Sequence, residues 1–375
     1  MRIQKITLFL SLLIFTSLYS QREFAFFGSY NWEKGSEAVY VYELDTETGK
    51  LTRFASSKDV INPGYITLSN DGKYVYASSD AKTPNDGSVS SFAFDIDKKS
   101  LTFLNKQKTG GENPVYVSVD KSGKWLINAT YTIPTISVFP ISEGGKIDPM
   151  IQHYEFTEGS GVNPTRQEKA HIHSVVFSPD FKSLLSADLG ADMIRQYAFD
   201  ENLNQPLIET KNSINTKPGS GPRHITFSAD GKLAYCIEEL AGMVSVYDFS
   251  ENKLKEIQRI ATHPDKIKEG FESSDVHISP DGKFLYASNR GKENNIAIFK
   301  INADGTMESI GYQKTGGKHP RTFAIDETGK FIIVNNVGTN SAVVFKRNLE
   351  TGMMKKIGKP VHIENVSCVK TKMYK

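Results

Sequence analysis

The amino-acid sequence predicts an all-β fold, a β-propeller of seven blades with four antiparallel strands in each blade. Two observations predict it. Helical periodicity is nearly absent after residue 20, and a tight turn that ends in Lys recurs six times between apolar strands. The turns end at Lys73, Lys124, Lys182, Lys232, Lys283 and Lys330, at intervals of 51, 58, 50, 51 and 47 residues. A repeat of about fifty residues is typical of propellers and solenoids.

Each repeat contains the strands that one blade needs. The turns carry Asp-Gly or Ser-Gly pairs between strand-like runs, which is a strong hairpin pattern. A third apolar strand follows, such as "MVSVYDF" at 243–249, and then a turn and a fourth, more polar strand. Four antiparallel strands make one propeller blade.

The two ends of the chain predict how the ring closes. Residues 24–30, 37–44 and 51–57 match the second, third and fourth strands of a unit that lacks its first strand. The C-terminal segment 362–370 can supply that strand. This closure removes free sheet edges, which otherwise favour aggregation. The count is then seven blades of about 51 residues each.

The first twenty residues differ from the rest. Arg2 and Lys5 precede an apolar run at 6–15, and small residues follow that run. This pattern predicts a secretory signal at 1–20, cut after Ser20 in preference to an uncleaved anchor, and a propeller domain at 21–375 in the periplasm or outside the cell. The run is too short for a comfortable membrane span, so no membrane contact is expected of the mature form.

The net charge, the cysteines and the histidine spacing argue against nucleic-acid binding and against a metal site. Without residues 1–20 the formal charge falls from +2 to 0, because two cations are removed. A neutral chain gives no electrostatic case for binding nucleic acid. The two cysteines, Cys236 and Cys368, are expected as buried free thiols, although an oxidising compartment would permit a bridge between them. Neither has the spacing of a metal site. His171 and His173 alternate on one strand as metal ligands can, but no third ligand is evident, so neither a metal nor another cofactor is expected.

Aligning the repeats places chemically active side chains around one mouth of the central channel. The first strand of a blade lines the channel, and the second strand returns to the level where the first began. The start of the first strand carries His173, Arg223 and Arg321, and the position after the second strand carries Glu239 and Arg290. The preceding position carries Glu238 and Asn289. Such a cluster in consecutive blades indicates a site for an anionic or lactone-bearing ligand, although propeller channels are commonly lined with polar residues in any case.

The segment "GPRHITFSADGKLAYCIEEL" at 221–240 resembles the signature hairpin of the seven-bladed lactonase family. That family includes bacterial 6-phosphogluconolactonases of the propeller type and the fungal carboxy-muconate lactonizing enzymes. Residues 171–192, 279–291 and 316–352 are similar to further family segments, and the resemblance covers essentially the whole mature chain. The sequence departs from the family pattern at Glu238, where Asn is usual, and at the segment "TYTIP" at 130–134.

The resemblance implies which residues act. The family's His corresponds to His171 or His173, of which the register favours His173, and its other functional positions correspond to Arg223, Glu239 and Arg290. We therefore expect a catalytic set of four residues: Glu239, His173, Arg223 and Arg290. Neighbouring positions of the repeat add the residues expected to contact substrate: His171, His224, Glu238, Asn289 and Arg321. The implied reaction is hydrolysis of a sugar-derived lactone without a metal. In it Glu239 is the general base, or His173 is the base with Glu239 orienting it. The arginines stabilise the oxyanion and the new carboxylate, and Arg321 holds a distal anionic group.

The substrate and two other functions stay open at this point. The expected partner is a small-molecule lactone or an anionic sugar acid, and export favours one without a phosphate, because 6-phosphogluconolactone is a cytoplasmic metabolite. A cycloisomerase would use the same residues to remove a proton next to a carboxylate. A non-catalytic propeller would bind a carbohydrate or a protein, in part through rim loops such as 152–170. The sequence leaves the identity of the lactone and the oligomeric state undetermined.

Overall fold

The computed structural model describes residues 21–374, and these residues form seven sheets of antiparallel strands. A single 3-10 turn at Val337–Thr339 is the only helical element in this range. The prediction of a seven-bladed β-propeller is therefore confirmed. The predicted signal segment 1–20 lies outside the described residues. Within 21–374, no helix is long and apolar enough to cross a membrane.

Blades 1 to 4 comprise the first sixteen strands together with the last one. Blade 1 contains β1 (Arg22–Ser29), β2 (Val39–Leu44), β3 (Leu51–Ser57) and β29 (Val366–Tyr374). Blade 2 contains β4 (Tyr65–Leu68), β5 (Tyr74–Ser79), β6 (Ser88–Asp95) and β7 (Ser100–Lys108). Blade 3 contains β8 (Glu112–Val119), β9 (Trp125–Ile133), β10 (Thr135–Pro140) and β11 (Gln152–Glu155). Blade 4 contains β12 (Ile172–Phe177), β13 (Ser183–Asp188), β14 (Met193–Phe199), β15 (Leu207–Glu209) and β16 (Ile214–Asn215).

Blades 5 to 7 each contain four strands in chain order. Blade 5 contains β17 (Pro222–Phe227), β18 (Leu233–Glu238), β19 (Met243–Asp248) and β20 (Lys255–Ala261). Blade 6 contains β21 (Ser273–Ile278), β22 (Phe284–Asn289), β23 (Asn295–Ile301) and β24 (Met307–Lys314). Blade 7 contains β25 (Pro320–Ile325), β26 (Phe331–Asn336), β27 (Ser341–Arg347) and β28 (Met354–His362).

The two chain ends meet in blade 1, as the sequence predicts. Strand β29 pairs antiparallel with β1, from Arg22 opposite Tyr374 to Ser29 opposite Val366. The closing strand starts later than predicted, because His362 is the last residue of β28 and pairs with Ser341. The ring is thus closed by backbone hydrogen bonds between the first and last strands, and β29 becomes the inner strand of blade 1.

The recurring turn is stabilised by side-chain hydrogen bonds that explain why the same residue types recur in it. In blade 5 the Ser228 hydroxyl donates to Asp230 Oδ1 over 2.7 Å, and that carboxylate accepts from the Lys232 amide over 3.1 Å. The Leu233 amide donates back to Ser228 Oγ over 3.0 Å. Gly231 has a φ of 72°, a left-handed conformation that glycine adopts at no steric cost. The same Ser and Asp contacts recur in blades 2, 4 and 6.

The core lies between neighbouring blades. Buried apolar residues of one sheet pack on the next sheet, as Ile237 and Val244 of blade 5 do on Leu285 and Phe299 of blade 6. Cys236 and Cys368 are buried and free, which confirms that prediction. This continuous packing fixes the positions of the strand ends that surround the channel.

Candidate active site

A β-bulge at the start of the inner strand turns one side chain of each of three blades toward the mouth of the channel. The pairing register shifts between Ile172 and Ser174, between Pro222 and His224, and between Pro320 and Thr322. The unpaired residues are therefore His173 in blade 4, Arg223 in blade 5 and Arg321 in blade 7. Bulges re-aim side chains and are frequent next to active sites.

The second strand of each blade brings its own side chain to the same level. The Glu239 amide, just after β18, donates to the Gly221 carbonyl over 2.8 Å. The Arg290 amide, just after β22, donates to the Glu272 carbonyl over 3.1 Å. These backbone contacts place Glu239 beside Arg223, as the hairpin predicts.

Glu239 is a buried carboxylate held by three arginines. Its Oε1 accepts from Arg166 Nη2 over 2.6 Å, and its Oε2 lies 2.7 Å from Arg223 Nε and 3.0 Å from Arg290 Nη2. Burial alone would raise the pKa of Glu239, but the charges of these arginines outweigh burial and hold the pKa well below its ordinary value. Glu239 is therefore ionised at any pH at which the protein is handled.

Arg223 is the most deeply buried of the three arginines, with no exposed side-chain surface. Burial and the nearby charges of Arg290 and Arg321 lower the pKa of Arg223 to about 9, against the opposing effect of Glu239. Arg166 differs, because 37% of its side-chain surface is exposed. The three cations are thus not equivalent: one is enclosed and one faces the solvent.

His173 faces the same pocket as a neutral imidazole. Its ring is buried, and its Nδ1 has no hydrogen-bond partner among residues 21–374. Burial, together with the charges of Arg223, His224 and Arg321, lowers the pKa of His173 well below its ordinary value. The structure shows no hydrogen bond between His173 and Glu239. The predicted orienting contact between them is therefore absent, because both carboxylate oxygens of Glu239 are taken by arginines.

The pocket between these groups has a volume of about 180 Å³, enough for a ligand with a single ring. Ten residues line it: Tyr30, Lys82, Asn113, Val115, Tyr131, Arg166, His173, Glu239, Arg290 and Arg321. Lys82 and Asn113 have φ values of 58° and 59°. Non-glycine residues rarely adopt this left-handed conformation, and it is concentrated at functional sites.

Two cations of the pocket lack an anionic partner in the described part of the chain. Lys82 Nζ lies 4.0 Å from the centre of the Tyr30 ring, and the Arg321 guanidinium lies 5.5 Å from it. Neither side chain forms an ion pair with a carboxylate within 21–374. Four cationic side chains and a single carboxylate therefore line the pocket, and this excess of positive charge favours an anionic ligand.

The structure does not bring every predicted residue to the pocket. Glu238 is buried, accepts from Arg259 and Ser245, and faces away from Glu239. Asn289 accepts from Ser273 over 2.8 Å and donates to Asn295 over 2.9 Å inside blade 6. Neither side chain lines the pocket, contrary to the expected ring around the mouth, and the contact of Glu238 and Asn289 with substrate stays a prediction. Successive side chains of a strand point to opposite faces, so each turns away from the pocket residue that follows it.

His171 and His224 lie behind the pocket wall. The His171 ring stacks on Tyr131 at 4.2 Å, and its Nδ1 lies 2.8 Å from the Tyr131 carbonyl oxygen. His224 points down the channel, where its Nδ1 lies 2.7 Å from Asp275. Neither histidine lines the pocket, so the structure gives their predicted contact with substrate no support, and it stays a prediction. Across residues 21–374, no group of three or more His, Cys, Asp or Glu side chains is arranged to hold a metal ion.

Sequence reasoning missed Arg166, Lys82 and Tyr30. Arg166 lies in the irregular segment between β11 and β12, outside the repeat register that located the other residues. One signal pointed to this segment: the interval between Lys124 and Lys182 is 58 residues, the longest of the six-turn series. The extra residues form the loop that carries Arg166 over Glu239.

Comparison with known proteins is consistent with this geometry. A family model described as lactonase, 7-bladed β-propeller, matches residues 24–371. The chain is 38% identical to a 6-phosphogluconolactonase of Formosa agariphila over 352 residues, which are 93% of this chain and 99% of the relative. It is 32% identical to a 6-phosphogluconolactonase of Bacillus subtilis over 339 residues, 90% of this chain and 95% of that relative.

A solved structure shows the same architecture. The Pseudomonas aeruginosa periplasmic gluconolactonase PpgL superposes with a TM-score of 0.87 at 30% identity, over 93% of this chain and 99% of that protein. This agreement extends over nearly the entire described range, so all seven blades have counterparts in one solved protein.

Proposed function

The chain belongs to the seven-bladed β-propeller lactonase family, and from this membership and the pocket geometry we propose that it hydrolyses a sugar-derived lactone. One observation carries the proposal. An enclosed neutral imidazole, His173, lines the same small pocket as Arg290 and the ionised Glu239. Ester hydrolysis needs a proton acceptor for water and a cation for the developing oxyanion, and this pocket contains both.

We assign the general base to His173 rather than to Glu239. A carboxylate held by three guanidinium groups is a weak base, because accepting a proton would forfeit their attraction. His173 lines the pocket while its Nδ1 is buried, so we assign the acceptance of the proton from water to its other ring nitrogen, Nε2. The low pKa of His173 weakens it as a base in the free protein. A bound anion and the negative charge of the transition state offset this weakness, because both favour the protonated imidazole.

The proposed reaction has two steps. Water attacks the lactone carbonyl carbon while His173 takes its proton, and Arg290 stabilises the negative charge that develops on the carbonyl oxygen. Arg223 is fully buried behind the pocket, and its charge adds to this stabilisation without contact with the substrate. The ring C–O bond then breaks, and protonated His173 returns the proton to the departing ring oxygen. The product is an open hydroxy acid that ionises and releases one proton to solvent. Glu239 holds the arginines in place throughout.

The cations at the outer part of the pocket indicate a substrate with an anionic substituent. Arg321 and Lys82 both pack against the Tyr30 ring, and neither has a carboxylate partner in the described range. We propose that they bind a phosphate or carboxylate carried by the lactone. A charge-assisted hydrogen bond contributes about 1.5–3 kcal/mol, so each cation is expected to lower KM for an anionic lactone by tenfold or more.

Acid release measured in a pH-stat tests this proposal. The panel contains gluconolactone, its 6-phosphate and lactones of uronic or aldaric acids, each corrected for spontaneous hydrolysis. The variant Lys82→Met is expected to raise KM for the anionic lactones and to leave KM for gluconolactone unchanged. The control Lys121→Met changes a lysine in the blade 3 hairpin turn, far from the pocket. Equal KM values for charged and neutral lactones in the wild type would refute the anion subsite.

The N-terminal pattern supports a proposal about location. We propose that residues 1–20 direct export and are removed, since a short basic head and an apolar run at 6–15 fit a secretory signal. PpgL, which superposes on this chain, is described as periplasmic. Sequencing the N terminus of the protein secreted by its host tests this, and a mature protein that still starts at Met1 would contradict it. Export would favour an anionic lactone other than 6-phosphogluconolactone.

A further inference from the structure

Behind the pocket, Arg223 is held by a chain of side chains that runs down the channel. Its Nη1 donates to the Ser274 carbonyl and lies 3.2 Å from His224 Nε2. Because a guanidinium has only donors, His224 Nε2 must be the acceptor in this contact. Its Nδ1 therefore carries the proton and donates to Asp275 Oδ1 over 2.7 Å.

Asp275 ends the chain as a buried anion. Its Oδ2 accepts from His277 Nε2 over 3.0 Å and from the Phe323 amide over 3.1 Å. Burial alone would raise the pKa of Asp275, but His277 and His224 hold it well below its ordinary value. Burial and the charge of Arg223 lower the pKa of His224 to about 3, so this histidine is neutral. A charged carboxylate, a neutral imidazole of fixed tautomer and a guanidinium thus lie in line.

We propose that His224 and Asp275 are positioning residues that hold Arg223 in the geometry in which it contacts Glu239 and stabilises the oxyanion. This inference rests on the proposed function, because it concerns Arg223 in lactone hydrolysis. Asp275 fixes the tautomer of His224, and only that tautomer presents an acceptor to Arg223. Of the other two guanidinium nitrogens, Nε lies 2.7 Å from Glu239 Oε2 as an ion pair, and Nη2 has no hydrogen-bond partner in the described range. The His224 contact is therefore one of few that fix the orientation of the guanidinium.

The charged groups around Arg223 set the pH at which its guanidinium loses a proton, and the pH profile of kcat/KM should report this. Glu239 from the end of β18 and Asp275 from β21 stabilise the protonated guanidinium. Arg290 after β22 and Arg321 from β25 destabilise it, and the neutral rings of His173, His224 and His319 complete its surroundings. Removing the charge of Asp275 removes one of two stabilising anions, so Arg223 should lose its proton at lower pH.

A double-mutant cycle tests the proposal in the full-length protein. Asp275→Asn is expected to lower kcat/KM by up to about 10²-fold, the loss that a displaced catalytic group produces, and to move the alkaline limb of the profile to lower pH. In an Arg223→Gln background the same substitution should have no further effect. Asp326→Asn, a second fully buried Asp in the far turn of blade 7, should leave kcat/KM unchanged. Should Asp275→Asn fail to fold, His224→Leu replaces it in the cycle.

Two results would overturn the positioning role of His224 and Asp275. Both can be distinguished from a result that refutes the proposed lactonase function. One is an equal loss of kcat/KM from Asp275→Asn in both backgrounds, which would indicate a general structural role. The other is a His224 ring protonated on Nε2 in long-range ¹H–¹⁵N spectra of the wild type, where protonation on Nδ1 is expected. The spectra need no substrate. A wild type that hydrolyses no lactone would refute the proposed function. The tautomer of His224 would still show whether His224 and Asp275 hold Arg223 as proposed.

Discussion

Replacing Glu239 by Gln should impair both turnover and stability, because it removes the one anion among the arginines of the pocket. Arg223 has no exposed side-chain surface and would lose its counter-ion. Breaking a buried ion pair on one side costs about 3–5 kcal/mol. An unfolding entropy of about 2.1 cal/mol/K per residue gives roughly 0.7 kcal/mol/K for this domain, so Tm should fall by about 4–7 °C. Turnover should fall by about 10²–10³-fold, because the oxyanion donors lose their anchor.

Differential scanning calorimetry and pH-stat kinetics on the same preparations measure the two effects. Arg166→Gln is the matched control, since it removes another ion pair of the same carboxylate. With 37% of its side chain exposed, Arg166 should contribute no more than about 1 kcal/mol, and Tm should change by no more than about 2 °C. A Glu239→Gln protein with unchanged Tm and full turnover would refute the view that Glu239 anchors the arginines.

Two further substitutions separate catalysis from stability. His173→Gln should lower kcat by at least about 10²-fold without lowering Tm, because the buried Nδ1 has no hydrogen bond to lose; a Tm drop with retained kcat would argue for a structural His173. Glu23→Gln should stabilise the protein at pH 8 and leave it nearly unchanged at pH 4. Burial, with the charges of Asp326 and Glu327, raises the pKa of Glu23 from 4.5 to about 7. The free energy of unfolding of the wild type therefore falls by about 3 kcal/mol through this group as pH rises from 4.5 through 7. Urea unfolding of both proteins at pH 4 and 8 measures the difference. Equal stabilities of the two proteins at pH 8 would contradict the prediction.

The propeller was predictable because its recurring turns are stabilised by hydrogen bonds between residues that are close in sequence. The Ser, Asp and Gly of "SADGK" at 228–232 make contacts within the turn itself, so they recur wherever the turn recurs. The period then sets the number of blades and assigns the last strand to blade 1. The exact start of β29 was not predictable in the same way, since it depends on how far β28 extends beyond its own turn.

The site was predictable only where it follows the repeat. Register alone brought His173, Arg223 and Glu239 together, because bulges occur at equivalent positions of successive blades. It misplaced His224, since the bulge at Arg223 turns the next side chain into the channel rather than toward the mouth. Arg166 lies on an irregular loop, and no periodic argument reaches a residue that the repeat does not contain.

The central claim is that this pocket adds water to a lactone, and one measurement tests it directly. The full-length protein is incubated in H₂¹⁸O with each lactone of the panel, namely gluconolactone, its 6-phosphate and lactones of uronic or aldaric acids. Acid release and label in the product carboxylate are followed beside a protein-free sample and Glu239→Gln. The prediction is release well above the spontaneous rate for at least one lactone, one ¹⁸O atom per carboxylate, and a rate about 10²–10³-fold lower in the variant. Wild-type release at the spontaneous rate with every lactone of the panel, or faster formation of an unlabelled product, would contradict lactone hydrolysis in this pocket.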